Sequence, residues 1–257
     1  MTLRGQLKKS LGRNGGLILL SDFDGTLTPI VDRPEAARLP PGTRRILARL
    51  ARHSRARVGI VSGRSLRDLK RVVRIPAAAY VGCHGLEIAW GRTRFRHPRA
   101  LAQVSLLRRV ARELRQKTHR FRGVFVEWKG LTVSLHFRLA DPATVPALHT
   151  LVGQVVEGAS GLAILRGKKV LELRPRIAWG KGEAVRLIRD LLTKSLRGRS
   201  PVTIYLGDDE TDEEAFRTLR GKALCVAVGR RRTRAAYRLR SPAAVENLLT
   251  WLAYTLG

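Results

Sequence analysis

Residues 17–30 read LILLSDFDGTLTPI, and this stretch decides how the rest of the chain is understood. Its apolar start predicts a short buried strand over residues 16–22. The strand delivers Asp22 and, just past its end, Asp24, before a Gly25-Thr26 step. Residues i and i+2 of a strand share a face, so both carboxylates point into one crevice. Two close carboxylates repel and resist leaving water unless a cation or a proton offsets them. Mg2+ suits that role, because it prefers oxygen ligands and shares them with phosphate. Gly25 permits a sharp turn, and the amides of Gly25 and Thr26 are placed to face an oxyanion. A plainer alternative is a surface Asp-x-Asp turn capping a helix. The apolar run before it and Gly-Thr-Leu-Thr after it argue against that. A calcium-binding EF-hand loop is excluded, since the sixth position from Asp22 is Leu27 instead of Gly and the twelfth is Arg33 instead of Glu.

The same logic repeats further along. VTIYLG ends in DDETDEEAF, so another apolar run delivers acids to an edge. Asp208 and Asp209 fall in the turn, and Asp212 follows one helical turn on. An acidic helix start favoured by the macrodipole accounts for Asp212 and Glu213. It does not account for the Gly-Asp-Asp turn, which a shared metal does. VSGRS places Ser62 at the end of a third apolar run, where its hydroxyl and the amides of Gly63 and Arg64 would hold a phosphate. WGKGEA sets Lys181 between glycines at a helix start, suited to meet phosphate as a point charge. Ordinary turns and caps explain either of these two motifs taken alone. Neither is a P-loop, because no Gly lies five residues before Gly180 or Gly167.

Around these motifs the pattern alternates. PPGTRRILARLARHS predicts a helix entered through prolines. RVGIVSGRS predicts a strand, SLRDLKRVV a helix, and AAYVGCHGLEI a third strand ending in a loop. This order argues for a parallel α/β sheet. The pattern then changes: a helix over 98–118, two strands around Lys129-Gly130, a helix over 142–157, and a second hairpin turning at Gly167. WGKGEAVRLIRDLL returns to helix, VTIYLGDDET to strand, DEEAFRTLR to helix and ALCVAVG to strand. A closing helix is capped by Ser241 with Pro242 at its first position. The expected architecture is a doubly wound α/β core, residues 1–97 and 176–257, interrupted by an α+β cap (αββαββ) over 98–175.

Composition bounds the rest. The chain has 257 residues, 44% of them hydrophobic, which suits a protein with proper cores. No apolar run approaches the ~18 residues of a membrane helix, and the basic N-terminus, MTLRGQLKKSLGRNGG, lacks the apolar core of a secretory signal. Cys83 and Cys225 are too few for a disulfide framework or zinc cluster. A monomer in the cytoplasm, without a membrane partner, is the expectation. The charge is unusual: 50 Lys and Arg against 20 Asp and Glu give +30. That excess would give non-specific affinity for polyanions. A dedicated nucleic-acid module is disfavoured, because the basic residues are spread through the chain and aromatics are only 5%.

Taken in order, DFDGTLTPI, VSGRS, WGKGEA and LGDDETDEEAF resemble the haloacid dehalogenase superfamily of phosphatases. VGCHGLEI, VEWKGLTVSLHFR, KKVLELRP and TRAAYRLRSPAAVENLLTWL extend the resemblance to its trehalose-6-phosphate phosphatases, from about residue 15 to the end. The resemblance implies a Rossmann-like core with a mobile cap, and Mg2+-dependent hydrolysis of trehalose 6-phosphate, a sugar phosphate. It implies Asp22 as nucleophile and Asp24 as general acid and then base. It implies a metal held by Asp22, the main-chain carbonyl of Asp24 and Asp208, supported by Asp209 or Asp212. Ser62 and Lys181 would bind phosphoryl oxygens, and Glu127, Lys129 and Glu172 would contact sugar hydroxyls. Phe23 departs from a tyrosine common in the family, with its side chain expected to point away from the catalytic face. Alternatives are a phosphatase for sucrose 6-phosphate or mannosyl-phosphoglycerate, and a nucleic-acid-binding protein on a phosphatase scaffold.

Overall fold

Strand β1 (Leu17–Asp22) is buried at every position. Leu17 and Leu19 face one apolar cluster while Ile18 and Leu20 face another, so the strand is covered on both sides. That is why its sequence is continuously apolar and does not alternate. The computed structural model describes residues 2–12 and 15–257; Met1, Arg13 and Asn14 of the basic N-terminal stretch lie outside the described residues. It divides the chain into two units, one running to Phe95 and resuming at Trp179, the other spanning Arg96–Ala178.

In the first unit, α1 (Leu3–Leu11) precedes β1, and α2 (Pro41–Arg52), β2 (Ala56–Val61), α3 (Leu66–Val73), β3 (Ala79–Gly82), β4 (Glu87–Trp90) and β5 (Thr93–Arg96) follow it. The second unit carries α4 (Pro98–Leu101), α5 (Val104–Thr118), β6 (Phe125–Trp128), β7 (Val133–His136), α6 (Val145–Glu157), β8 (Leu162–Gly167) and β9 (Val170–Pro175). The first unit resumes with α7 (Lys181–Ser195), β10 (Val202–Gly207), α8 (Glu210–Thr218), β11 (Leu224–Val228), β12 (Tyr237–Leu239) and α9 (Pro242–Leu256).

The eight-stranded sheet has the order β12-β11-β10-β1-β2-β3-β4-β5. It is parallel from β12 to β3, and β4 runs antiparallel to β3. Helices α1, α2, α3 and α9 contribute to the cluster on one face, and α7 and α8 to that on the other. From β1 the chain winds outward through β2 and β3, and from β10 outward through β11 and β12. Such a divergence opens a crevice at the carboxyl ends of the two central strands. The second unit is a four-stranded antiparallel sheet, β6-β7-β9-β8. Val133, Leu135, Leu171 and Leu173 share an apolar cluster with residues of α5 and α6.

Several expectations need correction. Residues 78–88 hold more than a strand ending in a loop: β3 ends at Gly82, a short turn spans Cys83–Gly85, and a further strand, β4, returns antiparallel. The run VTIYLGDDET leaves the sheet at Gly207, because Asp209 caps α8, its carboxylate accepting the amide of Asp212 at 3.1 Å. The span 98–118 holds two helices, and 142–157 begins with a 3-10 turn before α6. The second cap hairpin turns at Lys168-Lys169, since Gly167 pairs with Val170 and Lys169 takes φ 64°. Helix α1 and strand β12 carry no signal strong enough to predict. Among the described residues, no helix is long and apolar enough to cross a membrane.

Candidate active site

The crevice between β1 and β10 gathers the acids. Carboxylate oxygens of Asp22, Asp208 and Asp212 lie within 4.8 Å of one another. Their convergence follows from the fold: β1 and β10 pair in parallel, Ser21 opposite Leu206, so both strands end on the same edge. Gly25, at φ +92°, turns the chain away, and a Cβ there would stand 2.2 Å from Asp208 Oδ2. Glycine is therefore required both by conformation and by the approach of the second acid turn. Thr26 Oγ1 donates to Asp208 Oδ1 at 3.3 Å and ties the two turns together.

Lys181 enters from the first residue of α7, fully buried. Its ammonium donates to Asp22 Oδ1 at 2.7 Å and Asp212 Oδ1 at 2.9 Å, with Asp209 Oδ1 at 3.8 Å. Burial alone would lower the pKa of this amine, but Asp209, Asp212 and Asp22 together raise it well above the usual lysine range. Asp212 accepts from four donors: Lys181 Nζ and the Tyr205 hydroxyl (2.6 Å) on Oδ1, and the amides of Asp208 (3.0 Å) and Asp209 (3.1 Å) on Oδ2. These occupy the acceptor capacity of a carboxylate. Asp209 is committed to Thr211 and to the Asp212 amide, and it stands outside the three-acid group.

The Asp22 carboxyl is pushed well above its ordinary pKa, first by burial and then by Asp212, Asp208 and Asp209, with Lys181 opposing. One ammonium does not balance this collection of acids. The donor set, carboxylate oxygens only, suits a hard divalent cation.

Ser62 is buried at the end of β2, and its hydroxyl accepts the Arg64 amide at 3.1 Å. The Arg64 side chain does not lie free for a ligand. It grips both oxygens of Asp24 at 2.7 Å, donates to Asp68 at 2.6 Å, and its guanidinium lies 5.3 Å from the Phe23 ring centroid. Phe23 itself is in the core. Gly63 lies under the His84 imidazole, where a Cβ would meet Nε2 at 2.4 Å. Tyr205, His84 and the Arg64–Asp24 pair escape sequence reasoning. Only the glycine flanking His84 hints at an unusual turn.

In the second unit, strand register aligns Glu127 with Ser134 and Ser134 with Glu172 across β6, β7 and β9. Glu172 Oε2 accepts from Lys129 Nζ at 2.7 Å and Ser134 Oγ at 3.0 Å. Glu127 instead meets His136 at 2.8 Å, and Phe125 stacks on that imidazole at 4.4 Å. Burial would raise the Glu127 carboxyl, but His136 and Lys129 hold it below its ordinary value.

Known proteins resemble this chain in sequence and in fold. The chain is 37% identical over 260 residues to the trehalose-phosphate phosphatase of Mycobacterium tuberculosis, a match that covers 96% of this chain and 65% of that protein. It thus spans just under two thirds of that relative. Its fold is shared with the C-terminal domain of Candida albicans trehalose-6-phosphate phosphatase, at TM-score 0.82 and 24% identity, covering 98% of this chain and 97% of that one. A haloacid dehalogenase-like hydrolase from Bacteroides thetaiotaomicron shares it at TM-score 0.62 and 16% identity, over 93% and 99% of the two chains. The trehalose-phosphatase family profile matches residues 20–243, from within β1, through both acid clusters, to the start of α9, and the chain belongs to that family.

Proposed function

We propose that this protein hydrolyses trehalose 6-phosphate to trehalose and phosphate through an aspartyl-phosphate on Asp22. The observation that carries the reading is the Lys181 ammonium bridging Asp22 and Asp212 beside Asp208, a cationic and carboxylate cradle of the kind phosphoryl transfer requires. Asp22 and Asp208, with the main-chain carbonyl of Asp24, would hold Mg2+. Held there, such an ion would neutralise charge on the phosphoryl oxygens.

An Asp22 oxygen attacks phosphorus as the bond to the sugar oxygen breaks, and Asp24 gives that oxygen its proton. Water then attacks the aspartyl-phosphate, Asp24 takes its proton, and phosphate leaves with Asp22 restored. Arg64 donates to both Asp24 oxygens and would orient that carboxyl for the transfer. Ser62, Lys181 and the amides of Gly25, Thr26, Gly63 and Arg64 would hold phosphoryl oxygens. Asp212 orients Lys181 and the Asp208 turn. Asp209, as helix cap, supports that turn in its place. Lys129, Glu172 and Glu127 supply the polar groups for sugar hydroxyls, and the second unit acts as the specificity cap.

Phosphate release is measured from trehalose 6-phosphate, sucrose 6-phosphate, mannosyl-phosphoglycerate and glucose 6-phosphate, with Mg2+ and with chelator, in wild type and Asp22→Asn. Selective release from trehalose 6-phosphate, lost on chelation and in the variant, is the expected result. Preference for another sugar phosphate would overturn the reading of the cap. Full activity of Asp22→Asn would overturn the covalent mechanism.

A further inference from the structure

Two successive residues after β3, Cys83 and His84, take left-handed backbone conformations, with φ of 47° and 53°. Non-glycine residues are uncommon in this region, histidine less so than cysteine, and two in succession persist where the surroundings over-determine them. Here they do. The Cys83 amide donates to the Arg64 carbonyl at 2.7 Å and the His84 amide to the Ser62 carbonyl at 3.1 Å, so the turn is sewn onto the Ser62–Arg64 turn. From the other side, Trp179 Nε1 donates to the Gly85 carbonyl at 2.8 Å, and a Cβ on Gly85 would come within 2.7 Å of the Gly180 carbonyl. The turn is wedged between the two segments that present Ser62 and Lys181.

Its side chain follows from that position. The half-buried His84 imidazole covers Gly63 so closely that no larger residue fits beneath it. Glycine or asparagine would adopt these dihedral angles at less cost. Here the turn instead sets the His84 imidazole over Gly63, beside the turn that presents Ser62.

We propose that His84 is a further phosphate-binding residue, its imidazole donating a hydrogen bond to a phosphoryl oxygen held between Ser62 and Lys181. The inference rests on the phosphatase reading above, but only on its anion and not on the identity of the sugar.

The test titrates inorganic phosphate and orthovanadate into wild type, His84→Gly and His84→Asn with Mg2+ by calorimetry, alongside melting curves and sugar-phosphate turnover. His84→Gly removes the ring and relaxes the left-handed backbone. We expect both anions to bind at least about tenfold more weakly, the loss of one hydrogen bond to a charged group, with a melting temperature equal to or above wild type. His84→Asn, which tolerates the conformation and keeps an N–H donor, should recover part of the affinity. Unchanged anion binding in His84→Gly would overturn the proposal, as would a loss of binding that tracks a fall in melting temperature. A wild type that hydrolyses none of the sugar phosphates, yet shows the His84-dependent anion binding, would sink the phosphatase reading and leave this one standing.

Discussion

At the residue scale, the carboxylate that organises the crevice is Asp212. It accepts from four donors and so holds Lys181 and the Asp208 turn in place, within the same group of acids as Asp22 and Asp208. Tyr205 is the least obvious of those donors, its hydroxyl buried beside Phe216. Tyr205→Phe keeps the packing and deletes one hydrogen bond to a charged group, which contributes about 1.5–3 kcal/mol. The variant should melt lower than wild type and need more Mg2+ for half-saturation, read by calorimetry and by metal-dependent thermal shift. Coincident melting and Mg2+ titration curves would count against this role. The sequence made Asp22, Asp24, Ser62, Lys181 and Asp208 legible because each sits at a strand end or helix start with turn residues beside it. It left Tyr205 as one apolar-strand residue among others, since only contact with Asp212 distinguishes it. The pairing of Arg64 with Asp24 was equally hidden, because it depends on how two separate turns face each other.

At the scale of elements, the turns after β1 and β10 must approach within contact distance. Gly25→Ala would set a methyl against Asp208 Oδ2 in a left-handed position. A displacement of about 1 Å at a reacting centre costs on the order of 100-fold in rate. We expect a loss of that order in kcat, with the far-ultraviolet circular dichroism unchanged; activity within twofold of wild type would contradict the predicted clash. In the second unit, Lys129 and Glu172 form a buried ion pair across the sheet. Lys129→Met leaves the carboxylate buried without that ammonium and should destabilise by about 3–5 kcal/mol, whereas Lys129→Met with Glu172→Leu should recover most of the loss. Equal destabilisation of the single and double variants in denaturant melts would refute a coupled pair. The helices and strands of both units were readable where hydrophobic periodicity ran long. The β3–β4 reversal was not, because it turns on left-handed backbone at the non-glycine residues Cys83 and His84, which nothing in the local pattern announces.

At the scale of the whole molecule, a charge of +30 makes the folded chain repel itself. Raising NaCl from about 0.01 to 0.1 M shortens the screening length from about 30 to about 10 Å. The melting temperature should therefore rise over this range, measured by calorimetry in a buffer without phosphate. A flat or falling curve would mean that the basic residues are balanced internally. By itself the sequence determined the alternation of strands and helices, the insertion of a second α+β unit, and the delivery of acids to strand ends, because those properties rest on local periodicity and turn chemistry. Only the tertiary structure decided which acids meet. Thr26 and Asp208 are 182 positions apart and touch because β1 and β10 pair in parallel. The division of labour among Asp208, Asp209 and Asp212, the grip of Arg64 on Asp24 and the place of His84 were set by close packing between turns, where a few tenths of an ångström choose one partner over another.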